Sequence, residues 1–150
     1  NLERVSQADR HFLASLPLTE FFEFAGTRFG MVHAAPAEEM YHYLPPDLSD
    51  EELQAEMDGL ADAVDVIILG HTHLPIAKQL NNVFVVNPGS VGQPPPGDPP
   101  AASAIWADGV VTLHRAAYPV EETIQELHTT DLNLKVIVEL SNILRSGGSR

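Results

Sequence analysis

A chain of 150 residues with ordinary apolar content can bury a real core, and its 8 basic against 21 acidic side chains leave a net charge of −13. No apolar run approaches the roughly 20 residues that a membrane span needs, and the acidic balance offers no footprint for a phosphate backbone, which argues against membrane and nucleic-acid partners. With no cysteine, disulfides and thiolate metal sites are excluded, and a cytoplasmic setting is the default expectation.

The chain starts at Asn1 rather than methionine, from which processing or a fragment is expected. Residues 6–16 carry Ser6 and Asp9 in capping positions, then Phe12, Leu13 and Leu16 on one face, with Pro17 as the stop: a short surface helix. Aromatic-rich residues 21–25 and then 28–33 predict a hairpin around a two-residue Gly26-Thr27 loop. His33 ends the second of these strands, and loops at strand ends are where α/β proteins put their sites. Residues 37–46 hold Tyr41, His42 and Tyr43. These aromatics are read as covering a core edge, in preference to forming a lid. Ser49 followed by Glu52 is a capping box, and Leu53, Met57, Leu60, Ala61 and Val64 continue it as a helical core stripe.

The uncharged run Val66-Ile67-Ile68-Leu69 predicts a strand buried on both faces. It ends at Gly70 and delivers His71-Thr72-His73. In extended backbone, residues two apart point to the same side, so this spacing aims both histidines at one point. Neutral imidazole is a common metal ligand, and the pair reads as a metal half-site in preference to stacking or capping roles.

Residues 78–82 are expected to form a polar turn and residues 83–86 a strand. Asn87-Pro88-Gly89-Ser90 has proline and glycine at the centre of a type II turn. Such a turn can aim backbone N–H groups and a hydroxyl at a ligand, so Asn87 and Ser90 are candidate substrate contacts. Residues 93–100 form a stiff, proline-dominated loop. Asp108-Gly109 predicts a hairpin between residues 102–107 and 110–115, with Trp106 in a packing role and His114 in sheet pairing. Val120, Ile124 and Leu127 mark one helix. Leu132, Val136, Leu140, Ile143 and Leu144 mark the buried face of a second. The other face of that helix carries Leu134, Ile137 and Val138, more apolar than a surface helix needs, and is expected to dock on something. The tail, residues 146–150, reads as disordered. No repeat or boundary interrupts residues 1–150, which read as a single domain.

Three motifs, Val32-His33-Ala34, Gly70-His71-Thr72-His73 and Asn87-Pro88-Gly89-Ser90-Val91-Gly92-Gln93-Pro94, resemble the last three motifs of the calcineurin-like metallophosphoesterases. Their order and the strand before each agree, most closely with the small bacterial and archaeal phosphodiesterase-like branch. The resemblance implies an α/β fold, a β-sandwich flanked by helices, of which this chain is the C-terminal portion. It further implies a phosphodiesterase or phosphatase acting on small phosphoesters with two divalent metal ions. His33 and His71 would bind one ion and His73 the other. Histidine ligands suit Mn, Fe, Zn, Co or Ni without choosing among them.

The family's earlier motifs, Asp-x-His, Gly-Asp and Gly-Asn-His, do not occur here. By resemblance they precede Asn1, so the bridging carboxylate, an asparagine ligand and the proton donor to the leaving group are expected from an upstream segment. Without that segment, association into an oligomer is expected. Two departures stand inside the matched motifs. Ala34 takes the place of a usual glycine, and residues 95–100 are proline-rich where relatives often carry arginines. Between Arg28 and Arg115 the only lysine or arginine is Lys78, leaving the metals to supply nearly all the positive charge for a phosphate. Two other readings compete: a metal-free scaffold or regulator of the same fold, and a mononuclear zinc hydrolase or lyase on His33, His71 and His73.

Overall fold

The computed structural model describes residues 5–36 and 42–148. Helix α1 (Gln7–Ser15) starts where the Ser6 hydroxyl accepts a hydrogen bond from the Asp9 N–H at 3.1 Å, satisfying one of the unpaired donors of a first turn. It ends at Leu16, whose extended backbone is what a following proline enforces. Strands β1 (Thr19–Phe24) and β2 (Thr27–Val32) then form an antiparallel hairpin. Its loop is Ala25-Gly26, one residue earlier than the sequence pattern gives. Both loop residues take positive φ, 50° and 78°, as the twist of a two-residue hairpin demands. The β-branched Thr27 goes to the strand instead.

Helix α2 (Asp50–Ala61) opens with the expected capping box. The Glu52 N–H donates to Ser49 Oγ at 3.2 Å, and the Ser49 N–H donates to the Glu52 carboxylate at 2.9 Å. Three short strands follow: β3 (Val66–Ile68), β4 (Ile76–Gln79) and β5 (Phe84–Asn87). β4 claims Lys78 and Gln79 from the expected polar turn. Ile76 and Lys78 alternate inward along it, and the Lys78 ammonium is partnered by Asp50. The turn contracts to residues 80–83, closed by the Leu80 N–H donating to Val83 O at 2.9 Å.

The five strands form one sheet in the order β1-β2-β3-β5-β4. β2, β3 and β5 run parallel, and the outer strands pair antiparallel. Strand alternation then builds two cores. Ile67, Leu69 and Val85 face the α2 stripe of Leu53, Met57, Leu60 and Ala61, with Val64 just beyond the helix. Phe29, Val66 and Val86 face the hairpin of β6 (Ala101–Ala107) and β7 (Val110–Ala116), with Trp106 edge-on to Phe29 at 5.4 Å. Full burial of a side chain such as Ile67 or Met57 is worth about 1.5–3 kcal/mol. The result is a mixed α/β sheet flanked by helix on one side and hairpin on the other. Among the described residues no helix is long and apolar enough to cross a membrane.

Helices α3 (Val120–His128) and α4 (Leu134–Ser146) are clamped by Arg145, which donates twice to the Glu121 carboxylate at 2.7 Å. The buried stripe of α4 is Ile137, Ser141 and Leu144, while Val136 is exposed. The expected stripe was thus rotated by one position, because Ile137, Ser141 and Leu144 keep the i, i+4, i+7 spacing that one face requires. Leu134 and Val138 do remain exposed. The tail departs from its expected disorder through residue 148. The Gly97 N–H donates to Ser146 O and the Gly148 N–H to Pro94 O, both at 2.8 Å. Gly147 makes this docking possible: its φ is 82°, and any side chain there would collide with the Pro95 carbonyl. Residues 149 and 150 lie outside the described residues.

The start of β2 is fastened to the start of β3 by Arg28 and Asp65. The Arg28 guanidinium reaches Asp65 Oδ1 at 2.7 Å, and the Arg28 N–H donates to Asp65 Oδ2 at 2.8 Å. These bonds to Arg28, the side-chain one foremost, hold the Asp65 carboxyl down at about 2. A depressed carboxylate stabilises the fold above its unfolded pKa of about 3.9 and loses that contribution as pH falls through the folded value. Carbon-13 NMR is therefore expected to place the Asp65 titration near 2 and to move it up toward the ordinary carboxylate range in Arg28→Ala. The stability difference between the two proteins should shrink between about pH 4 and pH 2.

Candidate metal centre

Because β2, β3 and β5 are parallel, their carboxyl ends lie on one edge of the sheet. That edge receives His33 after β2, residues 70–73 after β3 and residues 87–90 after β5. The first two ends are fastened by the Gly70 N–H, which donates to His33 O at 3.0 Å. A β-carbon at Gly70 would stand only 3.3 Å from that oxygen and 3.7 Å from His33 Nδ1, so glycine permits the close approach.

His33 and His71 meet there. His71 Nδ1 and His33 Nε2 are 3.1 Å apart, the tautomer deciding which nitrogen donates, and the rings stand edge-on with centroids 5.0 Å apart. Two imidazoles on one cation at metal–nitrogen distances of about 2.0–2.1 Å place their nitrogens roughly 3–3.5 Å apart. The separation of the two nitrogens lies within that range.

Among the described residues His73 shares no hydrogen bond or ring pairing with these two. Both His71 and His73 have φ of 60°, a left-handed conformation that costs of order 1–3 kcal/mol for a residue with a side chain. Neither lies in a strand. The expectation that the two histidines converge rested on extended backbone, and the twisted backbone cancels that premise. His71 turns to His33. His73 instead lines a neighbouring cavity with Tyr43, Thr72 and Leu74. Among the described residues no group of three or more His, Asp or Glu gathers closely enough to hold a metal, so the mononuclear three-histidine arrangement finds no support in the geometry.

Asn87 holds the loop in this shape. It is 1% exposed. Its Nδ2 donates to Gly70 O at 2.7 Å and to Thr72 Oγ1 at 3.1 Å, and its Oδ1 accepts from the Gly89 N–H at 3.0 Å. Both amide protons are thereby used within the chain. Ser90 sits half-buried on the same turn, its Oγ accepting from the Gln93 N–H at 2.9 Å.

Tyr43 is exposed, and its ring stands 6.1 Å from that of His71. It lies beside the candidate site instead of sealing the core as expected; Tyr41 falls outside the described residues. Sequence reasoning missed the Thr72 hydroxyl and the contribution of Ile143 from α4 to the same cavity as His73. The polar residue between two histidines was a usable signal for the first. Nothing local marked the second.

The model of the calcineurin-like phosphoesterase superfamily domain matches residues 1–108, and the chain belongs to that family. A probable metallophosphoesterase of Methanothermobacter thermautotrophicus is 33% identical over 91 residues, 61% of this chain and 47% of that protein. Phosphodiesterase YfcE of Escherichia coli is 54% identical over 35 residues, 23% of this chain and 19% of its own length. The crystal structure of a metallophosphoesterase from Sphaerobacter thermophilus has the same fold, with a TM-score of 0.70 at 22% identity over 93% of this chain and 62% of that one. The chain thus spans about half or less of the curated relatives it matches.

Asn87→Ala removes the brace and leaves the Gly70 carbonyl and Gly89 N–H short of partners. The expected loss is about 2 kcal/mol in urea unfolding, and Asn87→Asp, which sets an acceptor against the Gly70 carbonyl and buries a charge, should lose at least as much. An unchanged midpoint in both variants would contradict the bracing role.

Proposed function

We propose that this chain carries the C-terminal part of a dinuclear phosphoesterase site, hydrolysing small-molecule phosphodiesters or phosphomonoesters with metal-activated water. The observation that carries the reading is the His33–His71 pair, at 3.1 Å on the shared edge of parallel strands, in a chain of the calcineurin-like family. His33 and His71 would hold one ion, and His73, which lines the adjoining cavity, would serve the second. Two divalent ions supply a clamp for phosphoryl oxygens and a water acidic enough to ionise near neutral pH. Manganese, iron, zinc, cobalt and nickel all suit such ligands.

The remaining groups act around those ions. Asn87 keeps residues 70–72 and the following turn in register, a positioning role in place of the substrate contact suggested by its sequence context. Ser90, whose Oγ accepts from Gln93, retains its own O–H for an ester oxygen. A bridging carboxylate, the further ligands and a proton donor for the leaving group would come from a segment upstream of Asn1. The geometry does not favour the metal-free scaffold, because the strained φ values of His71 and His73 would then be kept without use.

In calorimetric titration with zinc, the chain should bind weakly, and His33→Ala or His71→Ala should each lose at least about tenfold in affinity. The 150 residues alone should not turn over an aryl phosphodiester with manganese. Activity should appear with the upstream segment supplied, and His73→Ala should abolish most of it. Brisk turnover by the isolated chain would sink the completed-site reading.

The same reading accounts for an unusual surface. β1 pairs only with β2 among the described residues, and Phe21, Phe22 and Phe24 of β1, like Phe12, Leu13, Leu16 and Leu18 before it, are exposed. An open strand with apolar faces favours association. The complementing segment, or failing that a second copy of the chain, would cover it. Size-exclusion chromatography with light scattering should find oligomers or aggregates of the chain alone; a sharp-melting monomer would count against the proposal.

A further inference from the structure

The cavity that His73 lines has a volume of about 770 Å³, within the range of small-molecule sites. Its walls are Pro94, Pro95 and Pro96 of the proline loop, Ile143 of α4 and Leu74. Tyr43 joins it to the histidine pair, lining the cavity while its ring lies 6.1 Å from that of His71. The walls are held by the backbone bonds between the proline loop and the end of α4. Ile143 and Gly148 lie beyond residues 1–108, the part that matches the family model, so this wall is not part of the matched region.

Among the described residues no lysine or arginine lines the cavity, and its one carboxylate is Asp47. Three basic residues of the described chain are committed elsewhere: Lys78 to Asp50, Arg145 to Glu121 and Arg115 to Asp98. An anionic group entering here would meet a like charge and no cationic side chain, with only the neutral donors of Tyr43, Thr72 and Gln93 to replace its hydration. An uncharged ring or alkyl group would lose little and would gain contact with proline, isoleucine and tyrosine.

We propose that this cavity seats the alcohol portion of the phosphoester, and that it selects apolar or aromatic alcohols against those carrying a second phosphate or a carboxylate. The assignment rests on the phosphoesterase reading, since it is that reading which sets the phosphoryl group beside His73.

The test compares phenyl phosphate with 4-carboxyphenyl phosphate, which differ by one carboxylate. NMR titration of the full chain with zinc present follows the signals of Tyr43, Leu74 and Ile143, and the intact protein with manganese is assayed on the same two esters and on the diester diphenyl phosphate. Phenyl phosphate should shift those signals and bind roughly tenfold more tightly than its carboxylated partner. Asp47→Asn should narrow the gap, and Pro96→Arg, at an exposed rim position, should close or reverse it. Equal binding of the two esters, or no response at the cavity residues, overturns the assignment. Should turnover occur while the cavity stays silent, the assignment falls and the phosphoesterase reading stands. Should the cavity respond as expected while neither ester, nor the diester diphenyl phosphate, is hydrolysed, the preference holds and the phosphoesterase reading fails.

Discussion

One buried carboxamide braces the two loops that follow β3 and β5. Asn87 closes β5 and, almost wholly removed from water, must satisfy its polar atoms inside the protein. It does so across two loops at once, through Gly70 O, Thr72 Oγ1 and the Gly89 N–H. In a low-dielectric setting such a network is costly to leave half-made, so the two loops move together or not at all. The left-handed φ of His71 and His73 is affordable only because their neighbours are held in this way.

The parallel pairing of β2, β3 and β5 supplies the second constraint. Parallel strands bring their carboxyl ends to one side, and a chain that puts a histidine or an asparagine just after each strand concentrates polar chemistry there. Burial of both faces, by α2 on one and the β6–β7 hairpin on the other, fixes the strands rigidly enough to hold two imidazole nitrogens at 3.1 Å. Placing ligands on rigid elements is what a preorganised metal site requires. The scarcity of lysine and arginine between Arg28 and Arg115 means that the protein itself contributes little positive charge to this edge.

The C-terminal helices have a structural reason to be present. α4 ends in Gly147, which lets the chain fold against the proline loop without a clash. A loop that cannot join a ladder through its prolines thus acquires hydrogen bonds at Gly97 and Pro94. This couples the wall of the His73 cavity to a helix some 50 residues further along the chain.

Much of the architecture was legible in local pattern. The Ser6 and Ser49 caps, the α2 stripe, the uncharged β3 run and the Asp108-Gly109 hairpin are each specified by residues within a few positions of one another, where helical and strand periodicity act directly. The motifs around His33, His71 and Asn87 were likewise enough to recognise the family. What sequence could not give was direction. Whether His71 and His73 face together depends on two φ angles that are set by a hydrogen bond from Asn87, 14 or more residues away. The face that α4 buries and the ordering of its tail depend on contacts with the proline loop. Periodicity reports which side chains share a face of one element; which loop strains and which cavity forms is decided by polar groups that must find partners across the sheet, and that is settled only in three dimensions.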